Sequence, residues 1–163
     1  MVKVIEIFDD LTKSREYKYK REGCRGIVIN NGKILLSYER DVDQYLIPGG
    51  GIEDDESLVD CCKRELAEET GSIVEPHTHY LTLEEYYNEC YFISHYFICD
   101  RVGECKSSLT DEEKARGLVP LWLDIDEAIR IFSEYESYKG TNEMRFGAYY
   151  REWLALMEYK SQP

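Results

Sequence analysis

The sequence predicts a mixed α/β domain of the α+β type, and three observations carry that prediction. Asn31-Gly32 lies between two short β-rich runs, which reads as a hairpin turn. Residues 57–70 have helical periodicity, opening on the capping serine Ser57 and followed by Gly71. Near the end, Phe146, Tyr149, Tyr150, Trp153, Leu154 and Met157 recur at helical spacing.

Taken in order, residues 1–23 are polar and charged around a VKVIEIF run, read as one or two peripheral strands. The runs at 24–30 (CRGIVIN) and 33–38 (KILLSY) form the two arms of the hairpin. Pro48 and three glycines at 49–51 then exclude regular helix. In the helix that follows, Ser57 and Asp60 resemble a capping box. Two long β-like runs, about 80–87 and 91–102, are separated by Asn88-Glu89. Residues 106–117 read as a polar, acidic loop and 118–123 as a short apolar run containing Trp122. Asp124-x-x-Glu127 opens a helix through about Phe132, and the last helix spans about 142–159. Strands mostly joined by hairpins, with helices packed on them, give the fold class.

At 163 residues the chain suits one domain, 1–163, whose core needs neither metal nor disulfide support. An aromatic content of 13% argues against intrinsic disorder, and the composition excludes fibrous classes. Against 20 Lys and Arg stand 33 Asp and Glu, a net charge of −13. Such a chain repels phosphate backbones, which argues against DNA and against long RNA, and it repels anionic membrane surfaces. A small anionic substrate remains compatible if a carboxylate-held divalent cation neutralises it locally.

Cys24, Cys61, Cys62, Cys90, Cys99 and Cys105 include no CxxC pair and no zinc-finger cluster. They read as free thiols used as small buried hydrophobes in a cytoplasmic protein. The first 23 residues lack the apolar core of a signal peptide, and no stretch reaches the roughly 18 apolar residues of a membrane span.

The chemistry concentrates on the helix at 57–70. At about 100° per residue, with Leu58 at zero, Leu58, Cys62, Leu66 and Val59 cover about 0–100°, while Glu69, Glu65 and Glu68 fall near about 20°, 340° and 280°. An apolar stripe thus adjoins three carboxylates at i, i+3 and i+4. These repel one another and sit at the helix end whose dipole disfavours anions. A hard divalent cation would relieve that strain. On these glutamates alone, a solvated acidic face is the alternative.

The preceding loop decides between them. Gly50-x5-Glu56-x7-Arg64-Glu65-Leu66-x-Glu68-Glu69-x-Gly71, with Ile47-Pro48 as a Leu-Pro-like lead-in, resembles the Nudix box of the Nudix hydrolases. The match spans 22 residues, GGIEDDESLVDCCKRELAEETG, and departs only after Gly71, where the family prefers an aliphatic residue and this chain has Ser72 followed by Ile73. The order of elements extends the likeness over about residues 20–160.

The resemblance implies a Nudix-like α/β/α sandwich with a mixed sheet. It also implies a Mg2+- or Mn2+-dependent enzyme that splits the diphosphate linkage of a nucleoside diphosphate derivative by water attack on phosphorus. By position, Glu65, Glu68 and Glu69 take the catalytic, metal-binding places, one of them also orienting or deprotonating the water. Glu56 and Arg64 resemble the structural pair of the box. Gly50 and Gly51 fall where the backbone must approach metal and phosphate closely, and Gly71 ends the helix. A further carboxylate often completes such sites; Glu113 is the candidate, with Glu112 and then Glu89 behind it. Arg25 and Arg40 are candidate phosphate contacts, with an ordinary surface role as the competing reading for each, and Tyr45 is a candidate for stacking on a base, as are Tyr86, Tyr87, Tyr91 and Tyr96. Strand packing is the competing reading for the tyrosines. No role falls to His77, His79 or His95.

Two other readings stand beside the hydrolase: a non-catalytic nucleotide-sensing Nudix domain, and an isopentenyl-diphosphate isomerase-like activity. The intact box argues against the first, and no singled-out cysteine supports the second. Dimers are common in the family, and the N-terminal strands are the candidate homodimer interface.

Overall fold

The computed structural model describes residues 1–8 and 14–163. Its elements are β1 (Lys3–Phe8), β2 (Tyr19–Asn30), β3 (Lys33–Glu39), β4 (Gln44–Leu46), β5 (Gly49–Gly51), α1 (Leu58–Thr70), β6 (Ser72–Tyr87), β7 (Cys90–Glu104), α2 (Asp111–Ala115), β8 (Leu118–Asp124), α3 (Ile125–Ser133), a 3-10 turn (Glu134–Tyr138) and α4 (Glu143–Lys160).

Among the described residues the strands run β1-β6-β7-β2-β3-β4, with β5 on β2 and β8 on β3. β1 lies parallel to β6 and β2 parallel to β7, while the other pairs are antiparallel, so the sheet is mixed. The β2–β3 hairpin closes at Asn31-Gly32, whose φ values of 50° and 76° match the left-handed turn that Asn-Gly favours.

Side chains alternate across the strands and split the core in two. Ile27, Ile34, Leu36 and Tyr96 enter one cluster, closed by Phe132 of α3 and by Tyr149 and Leu156 of α4. Their strand neighbours Val28, Leu35 and Phe97 enter the other, closed by Cys61, Cys62 and Leu66 of α1. Helices therefore cover both faces of the sheet, the α/β/α arrangement.

Three expectations need correction. The strand expected from about residue 80 begins at Ser72 and carries Pro76 inside it. Before Leu81 it pairs with β7 alone, and register shifts at Ile73/Val74, Pro76/Thr78 and His79/Leu81 loosen the ladder, so a residue without an N–H fits. The stretch expected as a loop at 106–117 contains α2, a single turn with a reciprocal capping box between Thr110 and Glu113. Residues 19–23 belong to the long β2 rather than to a separate peripheral strand, and residues 9–13 of the expected N-terminal strands lie outside the described residues.

All six cysteines are free thiols. Five are buried and Cys105 is exposed. No described helix is long and apolar enough to cross a membrane.

Candidate active site

α1 presents the acidic residues on a well-defined helix. The Ser57 hydroxyl accepts from Asp60 N at 3.1 Å, and Gly71 ends the helix at φ 67°, ψ 22°, donating to Ala67 O. That left-handed conformation is one that glycine adopts without steric cost.

The glycine run forms β5, paired with β2 through Gly49↔Arg25, Gly50↔Cys24 and Gly51↔Gly23. A Cβ on Gly50 would lie 2.4 Å from Glu65 Oε2, so this glycine makes room for a carboxylate against the backbone. A Cβ on Gly51 would meet only Glu22 O, at an ordinary contact distance of 3.9 Å. Neither has a left-handed backbone, so Gly50 is required for space, not conformation.

Arg64 joins loop and helix. Its Nε and Nη2 donate to Glu56 Oε1 (2.7 Å) and Oε2 (2.9 Å), and Nη2 also donates to Gly51 O (2.9 Å). This fork holds the Glu56 carboxyl down at about 2. The remaining nitrogen, Nη1, donates to Glu65 Oε1 (2.7 Å) and Glu68 Oε2 (3.2 Å), offsetting the repulsion between those two.

Glu65 is buried, and loss of hydration raises its pKa against the pull of Arg64, with Glu68 and Glu113 adding repulsion. Glu69 turns toward the strands, where its Oε2 accepts from Ser37 Oγ (2.9 Å) and Gly49 N (3.2 Å). Burial pushes its pKa up to about 7, although Arg25 and those two bonds oppose the shift. Hard carboxylate oxygens, one against a glycine whose Cβ would fill its place and one short of compensating charge, are a donor set that suits Mg2+ or Mn2+. Among the described residues, no three His, Cys, Asp or Glu side chains already converge as ligands.

The remaining candidates are scattered. Glu113 caps α2, accepting from Thr110 N at 3.1 Å, and is close enough to Glu65 to repel it. Glu112 pairs with Arg116 and Glu89 with Lys18. Arg25 turns into the domain and donates to Ile47 O at 2.6 Å, while Arg40 donates to Gly117 O at 3.1 Å. Tyr45 stacks on Tyr38 with ring centroids 4.6 Å apart. Tyr86 stacks on Tyr91, Tyr96 is fully buried, and Tyr87 is exposed.

Sequence reasoning missed Ser37, which shares the α1-facing side of β3 with Leu35. Strand alternation was the available signal, since it makes Ser37 a polar residue aimed at the helix. It also gave no part to His79 and His95, whose facing ring nitrogens lie 3.3 Å apart, with Glu22 2.7 Å from the far nitrogen of His95.

The fold is similar to that of a NUDIX hydrolase from Nitrosomonas europaea, at 21% identity and TM-score 0.59, covering 82% of this chain and 89% of that one. It is likewise similar to a MutT NUDIX hydrolase from Burkholderia pseudomallei, at 20% identity and TM-score 0.55, over 67% and 86% of the two chains. A UDP-X diphosphatase matches at 18% identity and TM-score 0.54, over 71% of this chain and 56% of its own. No curated protein sequence matches the chain. The NUDIX domain family matches residues 20–144, more than half of the sequence, and the chain belongs to that family.

Proposed function

We propose that this Nudix hydrolase cleaves the diphosphate linkage of a nucleoside diphosphate derivative, using Mg2+ or Mn2+ held by Glu65, Glu68 and Glu69. The observation that carries the reading is the placing of Arg64, Glu65, Glu68 and Glu69 on one helix, with the Glu56–Arg64 fork tying that helix to the glycine loop. A divalent cation bound there would neutralise the diphosphate and make its phosphorus more open to attack. One of the three glutamates would also orient or deprotonate the attacking water. Arg64 would hold Glu65 and Glu68 in place, and Glu113 would supply the further carboxylate. Arg25 and Arg40, each bonded to a backbone carbonyl, and Tyr45, stacked on Tyr38, are weaker candidates for substrate contact. The neighbour named as a UDP-X diphosphatase is compatible with a nucleotide-linked diphosphate as the substrate class. Homodimerisation and a cytoplasmic location remain part of this proposal.

The test is release of phosphate or nucleotide from a panel of nucleoside diphosphate derivatives, with and without Mg2+ or Mn2+, on wild type and Glu69→Gln. Metal-dependent cleavage lost in the variant is the expected result. Tight metal-dependent nucleotide binding without cleavage would replace the hydrolase by a sensor.

A further inference from the structure

Glu152 lies on α4, on the far side of the sheet from α1, and is fully buried. Its Oε2 accepts from Ile47 N at 2.6 Å; its Oε1 accepts from Tyr96 OH at 2.9 Å and Arg151 Nε at 3.0 Å. Arg25, whose Nε lies 3.8 Å from the same carboxylate, donates to Ile47 O at 2.6 Å. Ile47 is therefore gripped at both its backbone N–H and its backbone carbonyl. Two residues further on, Gly49 N donates to Glu69 Oε2.

A buried carboxylate is costly unless it is fully paired, and this one spends one oxygen on a backbone N–H. From this geometry we propose that Glu152 is a positioning residue for the box: it fixes the Ile47–Pro48–Gly49 segment and, through Gly49, the carboxyl group of Glu69. The effect crosses the sheet, so a helix that contributes nothing directly to the box sets its geometry. The inference rests on the hydrolase reading in what it says of turnover; what it says of Gly49 stands apart from it.

The chemistry of the three donors makes the carboxylate hard to replace. In Glu152→Gln an NH2 group must face either Ile47 N–H or the Tyr96 and Arg151 donors, so one side meets donor against donor. Glu152→Asp keeps the charge for Arg25 and Arg151 but withdraws the oxygen from Ile47 by one methylene. Glu85→Gln is the control. Glu85 belongs to the same buried ionic group, 3.8 Å from Arg151, yet its Oε2 has no hydrogen-bond partner, and the Ile47 N–H and carbonyl bond to Glu152 and Arg25.

The experiment compares wild type with these three variants by the amide resonance of Gly49 in metal-free protein, by Mn2+ titration, and by kcat and KM. In both Glu152 variants the Gly49 resonance should move, and Mn2+ affinity and kcat should fall about tenfold or more with KM changed far less. Glu85→Gln should match wild type in all of these. If Glu152→Gln does not fold, Glu152→Asp decides. Wild-type Gly49 resonance, Mn2+ affinity and kcat in the Glu152 variants, with only the melting temperature changed, would overturn the proposal. Wild type that cleaves nothing, with or without Mn2+ binding, would sink the hydrolase reading, while the Gly49 resonance in metal-free protein still decides the clamp.

Discussion

The Arg64 guanidinium meets the Glu56 carboxylate fork to fork, at 2.7 and 2.9 Å, and its third nitrogen bridges Glu65 and Glu68. One side chain thus ties the loop to the helix and offsets repulsion among the carboxylates. Lysine keeps the charge but has no fork to divide among these partners. Arg64→Lys is expected to lower the unfolding free energy by about 1–3 kcal/mol, read by urea denaturation. A wild-type midpoint would mean that the fork adds nothing to stability.

Glu69 gives a pH dependence with a definite sign. Its folded pKa, about 7, lies above the ordinary value of 4.5, so the folded state holds the proton more tightly than the unfolded chain. Without metal, the part of the stability that Glu69 contributes should therefore be full below about pH 4.5 and be lost as pH rises to about 7, by on the order of 3 kcal/mol. Glu69→Gln should flatten this segment of the pH curve and cut turnover by about a hundredfold or more. Urea unfolding in EDTA at pH 5 and 7.5 measures the first effect, and a variant curve parallel to wild type would refute it.

Most of what positions the box was legible because it is local. Asn31-Gly32, Ser57, Gly71 and Asp124 act within a few residues of themselves, and each takes the turn or cap that its chemistry favours. The first part of β6 was hidden by Pro76, which is tolerated there only because β1 pairs no earlier than Leu81. α2 is too short for periodicity to register, although Thr110-x-x-Glu113 announced its cap. Glu152 was illegible for a different reason. It occupies a core-facing turn of α4 between Tyr149 and Leu156, and its partners, Ile47 in the link between β4 and β5 and Tyr96 on β7, are distant in the chain.

Glu113 separates two roles. As a cap it accepts from Thr110 N, a bond that the amide oxygen of Gln also makes, so Glu113→Gln should cost less than about 1 kcal/mol. As the further carboxylate of the site, its loss should lower kcat about tenfold or more at saturating substrate. A wild-type rate in the folded variant would remove Glu113 from the site and leave it a cap alone.

Gly50 and Gly49 should respond to alanine in opposite ways, because different atoms would be struck. At Gly49 the new Cβ would lie 2.1 Å from Cys24 O and 2.7 Å from Arg25 Cα, both backbone atoms of a paired strand that cannot move aside. Gly49→Ala should therefore unfold readily. At Gly50 the obstacle is the Glu65 carboxyl group, at 2.4 to 2.7 Å, the far end of a side chain that can shift only by giving up its bond from Arg64 Nη1. Gly50→Ala should keep the fold, with a stability loss of about 0.5–3 kcal/mol, the range usual for single substitutions. It should displace Glu65 all the same, raising the half-saturating Mn2+ concentration and lowering kcat about tenfold or more. Thermal unfolding and a metal titration on the two variants separate these effects. Wild-type metal dependence in Gly50→Ala would show that Glu65 does not need its place against the glycine loop.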